Sequence, residues 1–200
     1  MEGIFYYWVM WGFWIITTFW MKKNNVRFWF SFFILSNIAV SHLYWQLKDF
    51  SFNFSYLLFL IFGMMMMNQT KHYIFSVFSV LTISFAYAAI QLVYVYDPVL
   101  FWIDIQIVSA IMTCWLSLLL GRKKKQSFAY LLTGLCYGEA LFWFIISSIY
   151  KPVTVGGFPF LETIVLSNAF LFLWELLKGI TNFLEQLVEK TVKEKQERYE

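Results

Sequence analysis

The chain is poor in the residues that carry most site chemistry. Its 200 residues hold two cysteines, Cys114 and Cys136, and two histidines, His42 and His72. Both cysteines lie inside apolar runs and form no C-x-x-C pair near a loop. That excludes the quinone-linked thiol oxidoreductases of membranes and reads as two small buried hydrophobes. The histidines fall at opposite ends of the expected layout, so they share no metal ion. No metal site and no cofactor is expected. H-E-x-x-H is missing, which excludes the intramembrane metalloproteases. Ser147 and Ser148 lack a G-x-S-x-G-like setting, and His42 lies near a surface, which excludes the serine intramembrane proteases. No lysine lies deep in the last apolar run, where a retinal Schiff base would need one; Lys178 is at its edge. No nucleotide or nucleic-acid motif is found.

Apolar residues are what the chain has in plenty. It is 60% hydrophobic and 23% aromatic, with only 14% charged residues. Soluble chains average roughly 45–50% apolar. A soluble fold of this size could not hide the excess, whereas lipid is the natural solvent for the outer faces of spanning helices. The net charge of +3 is small. Its basic residues flank apolar runs, so it is no footprint for nucleic acid.

A spanning helix needs about 20 apolar residues. Seven runs qualify: 3–21, 28–45, 50–67, 73–96, 99–120, 127–150 and 158–177. The third is the weakest. The fourth is closed by Asp97-Pro98, a turn signal. The expected fold class is therefore all-α: a polytopic transmembrane bundle over residues 1–180 with a charged amphipathic tail over 181–200. Of the 15 lysines and arginines, only Lys48 and Lys151 then fall on one side. The positive-inside bias makes the other side cytoplasmic, with the N-terminus outside and the C-terminus inside. A non-spanning third run would put Lys22-Lys23 outside. No charged n-region precedes the first run and no small-residue cleavage site follows it, so an uncleaved first span is expected. Tyr6, Tyr7, Trp8, Trp20, Tyr44 and Trp45 crowd the span ends as interfacial anchors. The Met64–Met67 run reads as ordinary lipid-facing or gap-filling methionine. No internal repeat stands out.

Ionisable residues at membrane depth are costly, about 2.5–3.5 kcal/mol at the centre on insertion scales, and are functional candidates by default. Glu139 ranks first, near the midplane of the sixth span, where a carboxyl is held more cheaply in its neutral form. It reads as a proton, cation or substrate site, or as a carboxyl bonded to a neighbouring helix. Asp104 and Glu162 fall in the outer thirds of spans five and seven. With Asp97 they would make the outer mouth acidic, and Lys151 on that face would pair with one of them. Glu175 would pair with Lys178 at i,i+3. Gln106, Ser109, Thr113 and Ser117 form a polar stripe on span five. Ser79, Thr82, Ala86 and Ala89 make a small-residue face on span four. Gly134 and Gly138 form G-x-x-x-G on span six, a close-packing surface favoured within the bundle. The tail carries an apolar stripe, Phe183, Leu184, Leu187, Val188 and Val192. Its i,i+4 charge pairs are Glu189 with Lys193, Lys190 with Glu194 and Glu194 with Arg198.

The opening Met1-Glu2-Gly3-Ile4-Phe5-Tyr6-Tyr7-Trp8, the loop Gly121-Arg122-Lys123-Lys124-Lys125 and the Glu/Lys tail together resemble the small YphA family of Bacillus membrane proteins. The resemblance implies a multi-pass protein of the cell membrane in a Gram-positive bacterium. It implies no activity and no site residues. Three readings follow from the residues. The leading one is a non-enzymatic membrane interaction or assembly subunit, embedded in the lipid bilayer and contacting a membrane-protein partner or a second copy of itself. The second is a small carrier or solute-binding subunit that uses Glu139, with no ligand identified. The third and weakest is a lipid-acting enzyme.

Overall fold

Proline decides where helices are permitted. At lipid depth every backbone N–H and C=O must be satisfied within its own segment, so apolar runs free of proline become helices. The computed structural model describes residues 3–47, 50–68, 73–149, 151 and 153–196, except the side chains of 188 and 190–196. Seven helices are present among them: α1 (Ile4–Phe19), α2 (Asn25–Val40), α3 (Phe54–Met67), α4 (Tyr73–Tyr96), α5 (Ile105–Leu120), α6 (Lys124–Ile146) and α7 (Phe158–Gln196). Pro98 opens a 3-10 turn over Pro98–Leu100. Pro159 sits in the first turn of α7, where the missing N–H costs nothing. Lys48, Lys71 and His72 lie outside the described residues, as do the expected tail ion pairs, each of which involves an undescribed side chain.

Three helices, α4, α6 and the first 30 residues of α7, are long and apolar enough to cross a membrane. The other four are apolar but have only 14 to 16 residues. At about 1.5 Å per residue they reach about 21–24 Å, short of a hydrocarbon core of about 30 Å.

The fold is mostly helical but not all-α. A three-stranded sheet joins β1 (Tyr44–Leu47), β2 (Phe50–Asn53) and β3 (Val153–Val155), with β2 in the middle. β1 and β2 pair antiparallel, while β2 and β3 pair parallel, Phe50 opposite Val153 and Phe52 opposite Val155. The expected spans two and three thus lose their adjoining ends to strands. The physical reason lies in the residue types: aromatics in β1 and β2 and Val-Thr-Val in β3 suit a pleated, half-buried surface. Asn53 then turns strand into helix. Its Oδ1 accepts the Ser55 N–H at 2.7 Å as the cap of α3, and its Nδ2 donates to the Ser41 carbonyl at 2.8 Å.

Span five also starts late. Residues 101–104 are non-helical, and α5 begins at Ile105, after Asp104 at the helix-cap position. On α4 the expected small-residue face is only partly the packed one. Ser79 is buried and Thr82 and Ala86 are half-buried, but Ala89 is exposed, whereas Val80, Ile83, Ser84, Tyr87 and Ala88 are buried. The packed stripe is rotated because Gly134 and Gly138 on α6 select what lies opposite them. A Cβ on Gly134 would stand 2.7 Å from Ile83 Cγ2, and one on Gly138 2.9 Å from Tyr87 Cδ1.

The α4–α6 contact is the most extensive helix pairing in the fold. On the other side of α6, helices α1, α2, α3, α6 and α7 meet their neighbours in a closed ring, α1 returning to α7, while α5 packs against α4, α6 and α7. Outside, the surface is apolar: Trp102 is 98% exposed, Ile74 87%, Trp20 82% and Phe144 81%. Soluble monomers rarely expose such contiguous apolar area.

Gly138→Ala should force α4 away from α6, because Ser84's carbonyl oxygen, 3.0 Å from the new Cβ, is backbone and cannot swing aside. The expected cost is about 1–3 kcal/mol, read as a lowered melting temperature in detergent. Gly12→Ala, with nothing within 4 Å of its Cβ, is the control and should lose nothing. Equal melting of the two variants would contradict the contact.

Candidate functional site

Glu139 sits on α6 about 22 Å from that helix's first residue and about 10 Å from its last, at 1.5 Å per residue. The helix starts earlier and ends earlier than the apolar run 127–150, so along α6 the carboxyl lies nearer the end that carries the sheet. The side chain is 4% exposed. A buried carboxylate without partners would cost several kcal/mol, and this one is well supplied. Tyr87 Oη on α4 is 2.8 Å from Oε2. Trp143 Nε1–H, one turn along α6, donates to Oε1 at 2.9 Å. The Gly156 N–H, in the turn after β3, donates to Oε1 at 3.2 Å.

The donors divide the two oxygens chemically. An indole N–H and a backbone N–H can only donate, so Oε1 has two obligate donors and cannot carry a proton. Tyr87 can donate or accept. An ionised Glu139 therefore takes three hydrogen bonds, and a neutral one keeps the same geometry by donating from Oε2 to the tyrosine oxygen.

The turn that brings Gly156 here has its own requirement. Gly156 has φ +75°, a left-handed conformation, and a Cβ there would collide with Tyr56. Tyr56 on α3 donates its hydroxyl to the Cys136 carbonyl at 3.1 Å. Phe160 on α7 packs edge-on to Tyr56, ring centroids 5.6 Å apart, and to Tyr87 at 6.3 Å. One carboxyl and its tyrosines thus hold α3, α4, α6, the β3 turn and α7 together. Cys136 and Cys114 are free thiols buried in this interior.

The remaining candidates are dispersed. Glu162 is nearly buried on α7, and its Oε1 accepts the Gly3 N–H at 2.8 Å. Gly3 itself has φ +92° and leans on the Phe158 ring. Beside that contact the Tyr7 hydroxyl lies 2.7 Å from Ser41 Oγ and 2.8 Å from His42 Nε2. Asp97 accepts the Val99 N–H at 3.1 Å and caps the 3-10 turn. Asp104 is exposed at the helix-cap position without a side-chain cap bond. Lys151 is exposed on the adjoining loop. Ser109, Thr113 and Ser117 are fully buried, Thr113 Oγ1 lying 3.4 Å from Ser167 Oγ on α7.

At the opposite end, Glu175 does not pair with Lys178. Its Oε2 is 2.8 Å from Lys124 Nζ at the start of α6, while Lys178 Nζ lies 5.6 Å from the Trp174 ring centre. Tertiary packing overrides the i,i+3 geometry because the ring of helices brings the start of α6 beside α7. Cavities of about 680, 410 and 400 Å³ are present, and Glu139 lines none of them. Among the described residues no group of three His, Cys, Asp or Glu side chains is placed to hold a metal ion.

Part of this site was legible in sequence. Glu139 and Trp143 are i,i+4 neighbours on one helix face. Tyr87 and Gly156 carry no such signal, being 52 and 17 residues away.

The family description "YphA-like integral membrane protein" matches residues 2–197. A protein of Bacillus subtilis (strain 168), named "Uncharacterized protein YphA", is 34% identical over 163 residues, 81% of each chain. No solved structure matches the chain.

Glu139→Ala should orphan three buried donors, at about 1–3 kcal/mol each, and sharply lower the melting temperature. Glu139→Gln keeps an acceptor for the two N–H groups and an amide facing Tyr87, so it should lose far less. Equal losses in a detergent melting series would mean that the negative charge, not the hydrogen bonds, holds the site.

Proposed function

We propose that this chain, which belongs to the YphA-like integral membrane protein family, is a non-enzymatic interaction subunit of the bacterial cytoplasmic membrane. In this reading it has seven spans, the N-terminus outside and the C-terminal end of α7 in the cytoplasm. The short helices span with the help of their extensions: β2 adds about 3.3 Å per residue ahead of α3. Exposed aromatics such as Trp20 and Trp102 anchor the flanks.

The observation that carries the reading is the length of α7. Its 39 residues make a rod of about 58 Å, roughly twice the hydrocarbon core. Twenty residues suffice to cross, and the rest project beyond. On that projection Phe183, Leu184 and Leu187 are 46–60% exposed. Their i, i+1, i+4 spacing is that of an amphipathic helix laid against a partner helix. The proposed occupant is a helix of a partner protein on the cytoplasmic side, with a second copy of this chain as the alternative outcome.

The carrier reading built on Glu139 has less support. Three of the carboxylate's acceptor sites are already filled, and no described cavity reaches it. A lipid-acting enzyme has the least, because Asp97, His42 and Glu162 each serve a separate local contact and Asp104 stands exposed at the start of α5.

Two experiments test the proposal. Cysteines placed at Gln46 and at Asn68 bracket α3 and should label from opposite sides of intact cells with an impermeant thiol reagent; same-side labelling would remove the seven-span arrangement. Purification from native membranes in mild detergent should yield a stoichiometric complex that Leu184→Glu and Leu187→Glu dissolve without loss of the bundle. A lone protein, or a complex indifferent to both changes, would overturn the interaction reading.

A further inference from the structure

The closed ring of α1, α2, α3, α6 and α7 is hollow at its basic end. The cavity there measures about 410 Å³, within the roughly 300–1,000 Å³ of small-molecule sites. Its wall includes the buried Met10, Ile34, Phe59, Leu132 and Val165. Its wall is otherwise largely phenylalanine and methionine, with Thr17 and Asn168 as uncharged polar groups. Thr17 Oγ1 donates to the Trp14 carbonyl and Asn168 Nδ2 to the Ile164 carbonyl. Among the described residues, the charged groups lining the cavity are Lys124 and Lys125. Both stand where α6 begins, level with Met21 after α1 and Met66 near the end of α3. Lys124 is held by Glu175. Lys125 is exposed and has no acidic partner among the described residues.

An apolar shaft with cations only at its mouth is complementary to an amphiphile with an anionic head. At about 30 Å³ for a water-sized group, the space takes about a dozen methylenes of one chain. The mouth also lies at the lysine- and arginine-rich end of the bundle, where a membrane leaflet offers anionic headgroups. We propose that this cavity binds an anionic phospholipid, one acyl chain drawn into the helix ring and the phosphate held at Lys125 with Lys124. The Lys124–Glu175 pair positions the first lysine and limits the mouth's net charge. The site does not involve Glu139 and does not depend on the projecting part of α7.

The test uses the full chain in nanodiscs of phosphatidylglycerol, of phosphatidylcholine, or of an equal mixture, followed by release into detergent and native mass spectrometry. One phosphatidylglycerol should stay bound per chain, in preference to phosphatidylcholine. Lys125→Ala should weaken retention about fivefold, a lysine near an anionic surface being worth about 1 kcal/mol, and Lys125→Glu should weaken it further. Met66→Trp, which fills the shaft from a half-buried wall position, should abolish retention of either lipid. Melting temperatures of all three variants should stay near that of the unaltered chain, separating lost binding from lost folding. Equal retention of both lipids would overturn the selection of an anionic headgroup by Lys125 and Lys124. Undiminished retention in Met66→Trp would place the lipid on the outer surface and overturn the site. Recovery of a free fatty acid instead of a phospholipid would overturn the assigned ligand class.

Discussion

A buried carboxyl needs hydrogen-bond donors, and in this protein the donors come from across the fold. Glu139 draws on its own helix through Trp143, on α4 through Tyr87 and on the β3 turn through Gly156. The Tyr87 bond is short only if α4 lies close, and α4 lies close only because Gly134 and Gly138 carry no Cβ. Gly156 in turn reaches the carboxyl only in its left-handed conformation, against the face of Tyr56. The polar constraint and the packing constraint are thus one device. In lipid, where apolar side chains gain little by leaving their solvent, close backbone approach and interhelical hydrogen bonds supply what the hydrophobic effect supplies in water.

The two ends of the bundle are built on different principles. The sheet end is tied by polar contacts of long sequence range: Gly3 to Glu162, Tyr7 to Ser41 and His42, Ser51 to Thr154. These fix the chain's beginning against α7 and seal that end. The other end is looser. Its contacts are a half-exposed ion pair, Lys124 with Glu175, and cations over rings, Arg122 at Phe75 and Lys178 at Trp174. Exposed pairs of this kind contribute about 0–1 kcal/mol. A cavity can persist at such an end because little there demands closure, whereas near Glu139 every donor must be met.

The interaction reading and the lipid site also differ in what they ask of the chain. The first needs a surface, the exposed side chains of Phe183 and Leu184 with the half-exposed Leu187. The second needs an interior, the hollow of the helix ring. Neither uses Glu139, whose partners are all within the fold. The residue most exceptional in sequence is therefore a structural centre in this architecture, and the residues with unused capacity, Lys125 among them, look ordinary in sequence.

The sequence by itself determined the membrane class, the seven apolar segments, Glu139 as the central buried carboxyl, and the close-packing capacity of Gly134 and Gly138. Composition, apolar run length and 3.6-residue spacing are local properties that need no partner to be read. Tertiary structure alone decided the rest. Residues 44–45 and 50–53 read as span ends until β3, some hundred residues on, supplies a strand for β2 to pair with. Asp104 reads as a membrane carboxylate until α5 starts one residue after it. Glu175 has Lys178 three residues away, yet it pairs with Lys124 because helix packing brings α6 nearer than the next turn of α7 does. Strand pairing, long-range hydrogen bonds and cavities depend on which segments meet, and a linear pattern of apolar and polar residues leaves that unspecified.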